Sequence, residues 1–469
     1  MQNRLLVIYA KIMEQLPSLK QLSESEKEAL IIALWEENQR LKKRLGEVEE
    51  RLNKPKKGAR NSSVPPSQTA KANVPQRAQE GVKRQASVGR AGGGRPLHPA
   101  PDQVVEAWAK ACPHCGADVG EAEQGLQAVY DKLELPPIRP LVIRVRRYGG
   151  HCRHCDRDYR APVPVGLENN SPFGSSIEAL AVYARYAHAI SYERLSELFK
   201  QVFRILISEG ALANLFKRVK TRLEPRVEEI LVRLRSSRLV ASDETSARVN
   251  GRTQWEWVFQ NDEVCVHVIR PSRGQGVMDE VLQGHRPQVW VSDLYSAQRN
   301  HPAEQWQVCL AHQLRDCEYA IEAGDRIAAP RLKSLFLRAF AIHKRRDRLK
   351  GSTFAQYRCR LKRDLENVLA LSPTHPEGIR LLKRYRKLRE HLFVFLDDAT
   401  VPPTNNGSEQ AIRMSTIFRK VTNGFRSDWG RDLFASIRSV INTGKRQGMS
   451  ALDAIKKALS PAVSFFVPG

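Results

Sequence analysis

Between residues 27 and 52, Ile31, Leu34, Asn38, Leu41, Leu45, Val48 and Leu52 follow one another at alternating steps of three and four. That spacing keeps one stripe on one side of a helix and predicts a short coiled coil. With Ile31 at the a position, Asn38 also falls at a, where a buried amide favours a parallel pair in register. Glu37 at g then faces Lys42 at e of a partner helix, and Arg44 faces Glu49. The expectation is a homodimer; the competing reading docks the same stripe on the chain's own domain. From Asn53 to about Ala100 the pattern stops, and Pro, Gly, Ser, Lys and Arg dominate, with Glu80 as the only acid. Such a stretch buries too little to fold and reads as a basic linker that touches DNA phosphate without sequence preference.

Short β-rich runs return around a Pro-Pro turn in "LQAVYDKLELPPIRPLVIRVRRYGGH", between "CPHC" (Cys112, Cys115) and "CRHC" (Cys152, Cys155). A CxxC knuckle aims two thiolates at one point, and two knuckles complete a tetrahedral zinc shell. One structural Zn²⁺ in a zinc ribbon is expected. Four thiolates leave no open position for chemistry. His114 and His154 lie inside the knuckles and are not assigned as ligands. Residues 174–236 then show helical spacing. Ser208 is placed to cap a second helix running through Leu212, Leu215 and Phe216, with Lys217, Arg218 and Lys220 near its end. A DNA-reading helix-turn-helix and plain helix packing account for this segment equally.

The next pattern has period two. "RLVASDET" is an apolar run ending on Asp243, and "ARVNGRTQWEWVFQ" carries Asn250-Gly251, the dipeptide suited to a two-residue hairpin. "VCVHVIRP" is a third strand, a helix spans about 276–283, "PQVWVSDLYSA" is a fourth strand with Asp293 at its end, and "QWQVCLAH" is a fifth. Three antiparallel strands, a helix, a strand, a helix and a strand is the order of a ribonuclease-H-like fold, whose first and fourth strands are neighbours. Asp243 and Asp293 should then lie side by side. Adjacent carboxylates repel unless a cation lies between them, and oxygen-rich sites suit Mg²⁺ or Mn²⁺. Two such ions drive phosphodiester chemistry and need a third carboxylate. "PPTNNGSEQAIRMSTIFRK" supplies a candidate: Asn405 or Asn406 caps a helix, and Glu409, Ile412, Arg413 and Thr416 share one face. An acid in a first turn is also an ordinary helix-dipole residue.

Size and charge narrow the function. The chain has 469 residues and a formal net charge of +25, a field that attracts nucleic acid or anionic membrane. No apolar run approaches the roughly 18–20 residues that span a bilayer, and the N-terminus lacks a signal-peptide cleavage pattern, so DNA in the cytosol is expected and a membrane is not. Eight cysteines are too few for a disulfide framework in a chain this long.

These residues together resemble the insertion-sequence-66 type of DDE transposases. The resemblance runs over nearly the whole chain: the zipper-like helix, "NSSVPPSQ", "LELPPIRP" before the second CxxC, "SDET", "SDLYSA", "CLAHQLRD" (Cys309 and His312), "PTNNGSEQAIR" followed by "RK", and the tail "RSDWGRDLFASIRSVINTGKRQGMSALDAI". Gly407-Ser408 and Leu294 depart from the family's commonest residues. The resemblance implies that Asp243, Asp293 and Glu409 bind two Mg²⁺ or Mn²⁺ ions. Water would free a 3′-hydroxyl at the transposon end, and that hydroxyl would attack target DNA. The implied double-stranded DNA partners are the inverted repeats and the target. Arg413 contacts a phosphate or holds Glu409, or else forms an ordinary surface salt bridge, and Arg419 and Lys420 are assigned to DNA. Asn405, Asn406, Cys309 and His312 support the site, the last two by packing and a hydrogen bond. Accessory proteins of the same element remain open as partners, and the implied setting is the bacterial cytoplasm at the nucleoid.

The expected architecture is multidomain α+β. It comprises a coiled-coil helix (1–55), a disordered basic linker (56–104), a zinc ribbon (105–165), and a helical, helix-turn-helix-like DNA-binding region (166–236). A ribonuclease-H-like α/β catalytic core (237–310 and 401–469) follows, with a helical insertion (311–400). The alternative to a transposase is a nuclease without strand transfer, or a DNA-binding regulator derived from such an enzyme; three retained carboxylates argue against the regulator.

Overall fold

The computed structural model describes residues 22–55, 57–58, 61, 95–121, 124–299, 301–460 and 464–466. The chain divides into two compact units, one of residues 1–70 and 220–469, the other of 71–219. In the first, helix α1 (Glu24–Asn53) starts at a capping box: the Ser23 hydroxyl accepts from the Glu26 N–H, and the Glu26 carboxylate accepts from the Ser23 N–H. Its predicted seam faces solvent, with Ile31 66% and Leu45 59% exposed. The seam positions Val48 and Leu52 lie outside the described side chains. Glu37 pairs along its own helix with Arg40 (2.9 Å). Most of the linker falls outside the described residues, but Asn61 is buried and donates to the Glu322 carboxylate (2.5 Å), so this part of it is anchored rather than free.

In the second unit each CxxC forms a tight turn. The Gly116 N–H donates to the Cys112 carbonyl (2.8 Å), and the Asp156 N–H to the Cys152 carbonyl (2.9 Å). Strands are shorter than the alternation suggested: β1 (Gly149–Cys152) pairs antiparallel with β2 (Arg157–Arg160), and 125–148 runs without a ladder. Pro136, Pro137 and Pro140 lack the N–H a ladder needs. Three helices follow: α2 (Ser175–Val182), α3 (Tyr192–Phe203) and α4 (Glu209–Arg235). Ser208 caps α4 by accepting from the Ala211 N–H, and Leu212, Leu215 and Phe216 are fully buried.

The first unit is built on a five-stranded sheet of β3 (Leu239–Val249), β4 (Arg252–Gln260), β5 (Cys265–Arg270), β6 (Val289–Ser292) and β7 (Gln305–Val308), in the order β5-β4-β3-β6-β7. The hairpin between β3 and β4 turns on Asn250 and Gly251, both at positive φ (49° and 75°). Helices α5 (Gly276–Leu282) and α6 (Ser296–Arg299) lie in the connections flanking β6. β3 and β6 are parallel neighbours, as the strand order required. Helices α7 (Leu310–Glu322), α8 (Ala328–Lys344), α9 (Gly351–Leu369), α10 (Pro376–Leu388) and α11 (Val394–Asp397) come from the stretch read as an insertion. They share one apolar core with the sheet, in which Phe336, Leu381, Phe393 and Phe395 pack with Ala241, Val289 and Val291. This stretch is a layer of the same core.

The chain returns as α12 (Asn406–Thr422), α13 (Asp428–Arg446) and α14 (Ala451–Leu459). α13 lies against β5, where the Cys265 N–H donates to the Thr443 hydroxyl (3.0 Å) and the His267 N–H to Ser439 (2.8 Å). α13 and α14 approach closely because Gly444 has no side chain: a Cβ there would sit 2.3 Å from that of Ala454. Gly444→Ala should separate the two helices and cost about 1–3 kcal/mol, the usual overpacking range, read as a lower denaturation midpoint in urea.

Candidate active site

Asp243 lies on β3 and Asp293 just past the end of β6. Ala241 is opposite Val291 in the parallel ladder, and each aspartate stands two residues further on: Asp293 just past the end of β6, and Asp243 inside β3, which runs on to Val249 in its ladder with β4 rather than ending at Asp243 as its apolar run suggested. Glu409 sits in the first turn of α12, which packs on the same sheet through Ala411 and Ile412 against Val258 and Cys265. These three acids share one electrostatic field. Burial and the charges of Asp293, Glu244 and Glu409 push the Asp243 carboxyl well above the usual range, with His312 opposing. Tyr295 donates its N–H to Asp293 (2.9 Å), and Glu244 donates its N–H to Asp243 (3.0 Å).

Asn405 does something other than the expected cap. It stands at the N-cap position without a capping bond, and its amide donates to the carbonyl of Ser242 (2.6 Å). The start of α12 is thereby tied to β3 one residue before Asp243. Asn406 is exposed. Gly407 and Ser408, the departures noted above, both serve this junction. A Cβ on Gly407 would lie 2.7 Å from the Gln260 amide, and that amide donates to the buried Ser408 hydroxyl (3.3 Å).

Cys309 and His312 flank the junction from the other side. The Cys309 sulfur accepts from the Asn405 N–H (3.2 Å), and, against the pull of burial, His312 holds its pKa below the usual thiol value. Burial opposes a charge on His312, but Cys309 and the Asp293 and Glu409 carboxylates outweigh it and raise its pKa to about 9. His312 Nε2 lies 3.7 Å from Glu409 Oε1, and Arg315 Nη2 lies 3.8 Å from Oε2. Sequence reasoning missed Arg315, although it stands one helical turn after His312.

The donor chemistry fits a hard divalent cation: the acids offer oxygen only, and Glu409 Oε1 is buried without a hydrogen-bond partner. Among the described residues, no three His, Cys, Asp or Glu side chains are gathered tightly enough to hold a metal ion. The acids therefore share a field without forming a closed cage. The same holds for the thiols: Cys112 with Cys115 and Cys152 with Cys155 form two separate knuckles, and the structure does not bring the four to one point. Each knuckle suits thiolate ligation, because backbone N–H groups of His114 and Cys115 lower the Cys112 pKa, and those of Cys155 and His154 lower that of Cys152.

The predicted DNA contacts fall into different settings. Arg413 and Lys420 are exposed on α12, and Arg413 makes no ion pair among the described residues. Arg419 is half-buried and donates to Thr416 (3.0 Å) and Thr245 (3.4 Å). On α4, Lys217 is exposed, Arg218 donates to Ser171 (2.9 Å) and Lys220 pairs with Glu224 (3.2 Å).

The model of the transposase IS66 family matches residues 170–432, and that of the zinc-finger binding domain of transposase IS66 matches 109–156. A family of unknown function (DUF6444) matches 14–102. "Uncharacterized protein y4jD" of Sinorhizobium fredii (strain NBRC 101917 / NGR234) is 22% identical over 434 residues, covering 83% of this chain and 82% of that protein. Two solved structures are similar over 33% of this chain. The Mos1 strand transfer complex shares 13% identity over 65% of its chain, and the Mos1 transposase paired-end complex with left transposon end shares 14% over 66%; both have a TM-score of 0.13. The chain thus spans just under two thirds of each solved chain. No described helix is long and apolar enough to cross a membrane. With more than half of its length matched by that family model, the chain belongs to the IS66 family of transposases.

Proposed function

We propose that this protein is a DNA transposase that cuts phosphodiester bonds at transposon ends and joins the freed 3′-hydroxyls to target DNA. Asp243, Asp293 and Glu409 would hold two Mg²⁺ or Mn²⁺ ions in a ribonuclease-H-like core. The observation that carries this reading is the pair of aspartates standing at matching register on and just beyond two parallel neighbouring strands, within one field with Glu409. When bound, the ions supply activation of the attacking oxygen and stabilisation of the leaving one. The chain's own residues fix where that happens. Asn405 ties α12 to β3, and His312 and Arg315 hold the Glu409 carboxylate. Arg413, Arg419, Lys420, Lys217, Arg218 and Lys220 are assigned to DNA phosphates, which position a duplex without reading it. The exposed seam of α1 is assigned to a second copy of the chain, with Asn38 setting register.

The test is to incubate the purified protein and Mg²⁺ or Mn²⁺ with DNA bearing the inverted repeats that flank its own gene, and to map the nicked strands. Nicks at the repeat ends with joined products support the reading; cutting without joining would reduce it to a nuclease. For the ribbon, Cys152→Ser should lower bound zinc from one ion per chain toward none and weaken DNA binding, read by elemental analysis and gel shift. Unchanged zinc and unchanged binding would remove Cys152 from the ligand set.

A further inference from the structure

Arg273 stands against Tyr295, whose N–H reaches Asp293, and is immobilised from three directions. Its Nε and Nη2 donate to Glu244 Oε1 (3.1 and 2.7 Å), and Gln298 donates to Glu244 Oε2 (2.6 Å). Its guanidinium carbon lies 3.9 Å from the centre of the Tyr295 ring and 4.4 Å from that of Trp255. The Tyr295 hydroxyl donates to the Arg273 carbonyl (3.1 Å). The anchor is buried and the cation is not: the side chain of Glu244 is 2% exposed, that of Arg273 39%. The guanidinium's hydrogen bonds run from Nε and Nη2, and Nη1 meets no hydrogen-bond partner among the described residues.

Two of these three neighbours lead to Asp293: Tyr295 donates its N–H to that carboxylate, and the Asp293 charge, after burial, raises the Glu244 pKa. An arginine packed only for stability gains nothing from leaving one nitrogen in solvent at the edge of an anionic site. One that binds a ligand there gains much, because the rings and Glu244 have already removed its rotamer freedom.

We propose that Arg273 is a substrate-positioning residue whose Nη1 contacts a backbone phosphate of the cleaved strand. The contacted group is one of the phosphates flanking the scissile bond. This rests on the transposase reading above.

The experiment uses the full chain and the end-bearing duplex, with cleavage by the parent protein in Mg²⁺ measured first. Binding is then measured in Ca²⁺ with neutral methylphosphonates placed singly at each flanking phosphate. Arg273→Gln should weaken binding to the unmodified duplex about ten- to a hundredfold, the range for a hydrogen bond to a charged group. At one position, methylphosphonate should weaken the parent equally and Arg273→Gln no further. Arg273→Lys keeps the charge without the fork and should also lose affinity, which preserves the test if the Gln variant misfolds. Multiplicative effects at every position, or an unchanged Arg273→Lys, would overturn the contact. Absence of cleavage by the parent would instead overturn the transposase reading.

Discussion

Asp243→Asn should abolish strand cleavage and joining, lowering the rate at least about a thousandfold, while binding to the end-bearing duplex persists. That is the scale on which loss of one preorganised electrostatic partner is felt, and an amide offers a metal one neutral oxygen in place of a charged pair. The same variant should be more stable than the parent when no divalent ion is present. Burial and the charges of Asp293, Glu244 and Glu409 raise the Asp243 pKa well above its unfolded value. A carboxyl raised in this way contributes stability below the ordinary aspartate pKa and loses it as pH rises through the folded value. The asparagine carries no such loss, so its melting temperature should exceed the parent's at neutral pH and match it near pH 4 or below. Mg²⁺ should raise the parent's melting temperature by binding the folded state and should leave the variant's nearly unmoved. Melting curves with EDTA and with Mg²⁺ give both readings. A variant that failed to bind DNA, or melted below the parent in EDTA, would assign Asp243 a structural role.

Local chemistry made much of the sheet-bearing unit legible. Asn250-Gly251 marked the hairpin, and strand order set β3 beside β6, so that Asp243 and Asp293 stand two residues beyond the same register pair, Ala241 and Val291. Reading failed where a residue's partner lies far along the chain. Asn405 satisfies every rule for a helix cap, yet it donates to Ser242, 163 positions earlier. A propensity cannot express that choice. The β-rich run between the knuckles had the alternation of strands but no neighbouring backbone to pair with. Glu256 shows the same limit more sharply. In "TQWEWVFQ" it stands between Trp255 and Trp257, and nothing in that alternation marks it for a buried ion network. It is fully buried, because the C-terminal tail returns as α13 and covers that face.

That burial makes Glu256→Ala the most destabilising substitution expected in the molecule. Glu256 Oε1 accepts from Ser415 on α12 (2.6 Å) and is paired with His267 Nδ1 (2.9 Å). His267 Nε2 meets the Asn442 amide (2.8 Å), and Arg438, 2% exposed, donates to the Asn442 oxygen (3.0 Å). Burial works against protonating His267, but Cys265 and Glu256 outweigh it and raise its pKa. Burial lowers the Arg438 pKa while the Glu256 charge supports the ionised form. Removing the carboxylate would leave a buried guanidinium without its supporting charge and strand the Ser415 hydroxyl and the His267 ring. Losing one partner of a buried charged set costs about 3–5 kcal/mol, a large fraction of the roughly 5–15 kcal/mol that holds a typical domain together. Urea denaturation should show the loss as a lower midpoint with an unchanged slope. Ser415 lies on the same helix as Glu409, so activity should fall too, at temperatures where the variant is still folded. The control is Ser415→Ala, which removes one hydroxyl and leaves every charge in place. It should cost only about 1 kcal/mol, with a correspondingly smaller fall in cleavage. Equal losses from the two variants would mean that Glu256 acts through the serine contact alone, and the charge network would not be what holds the helix.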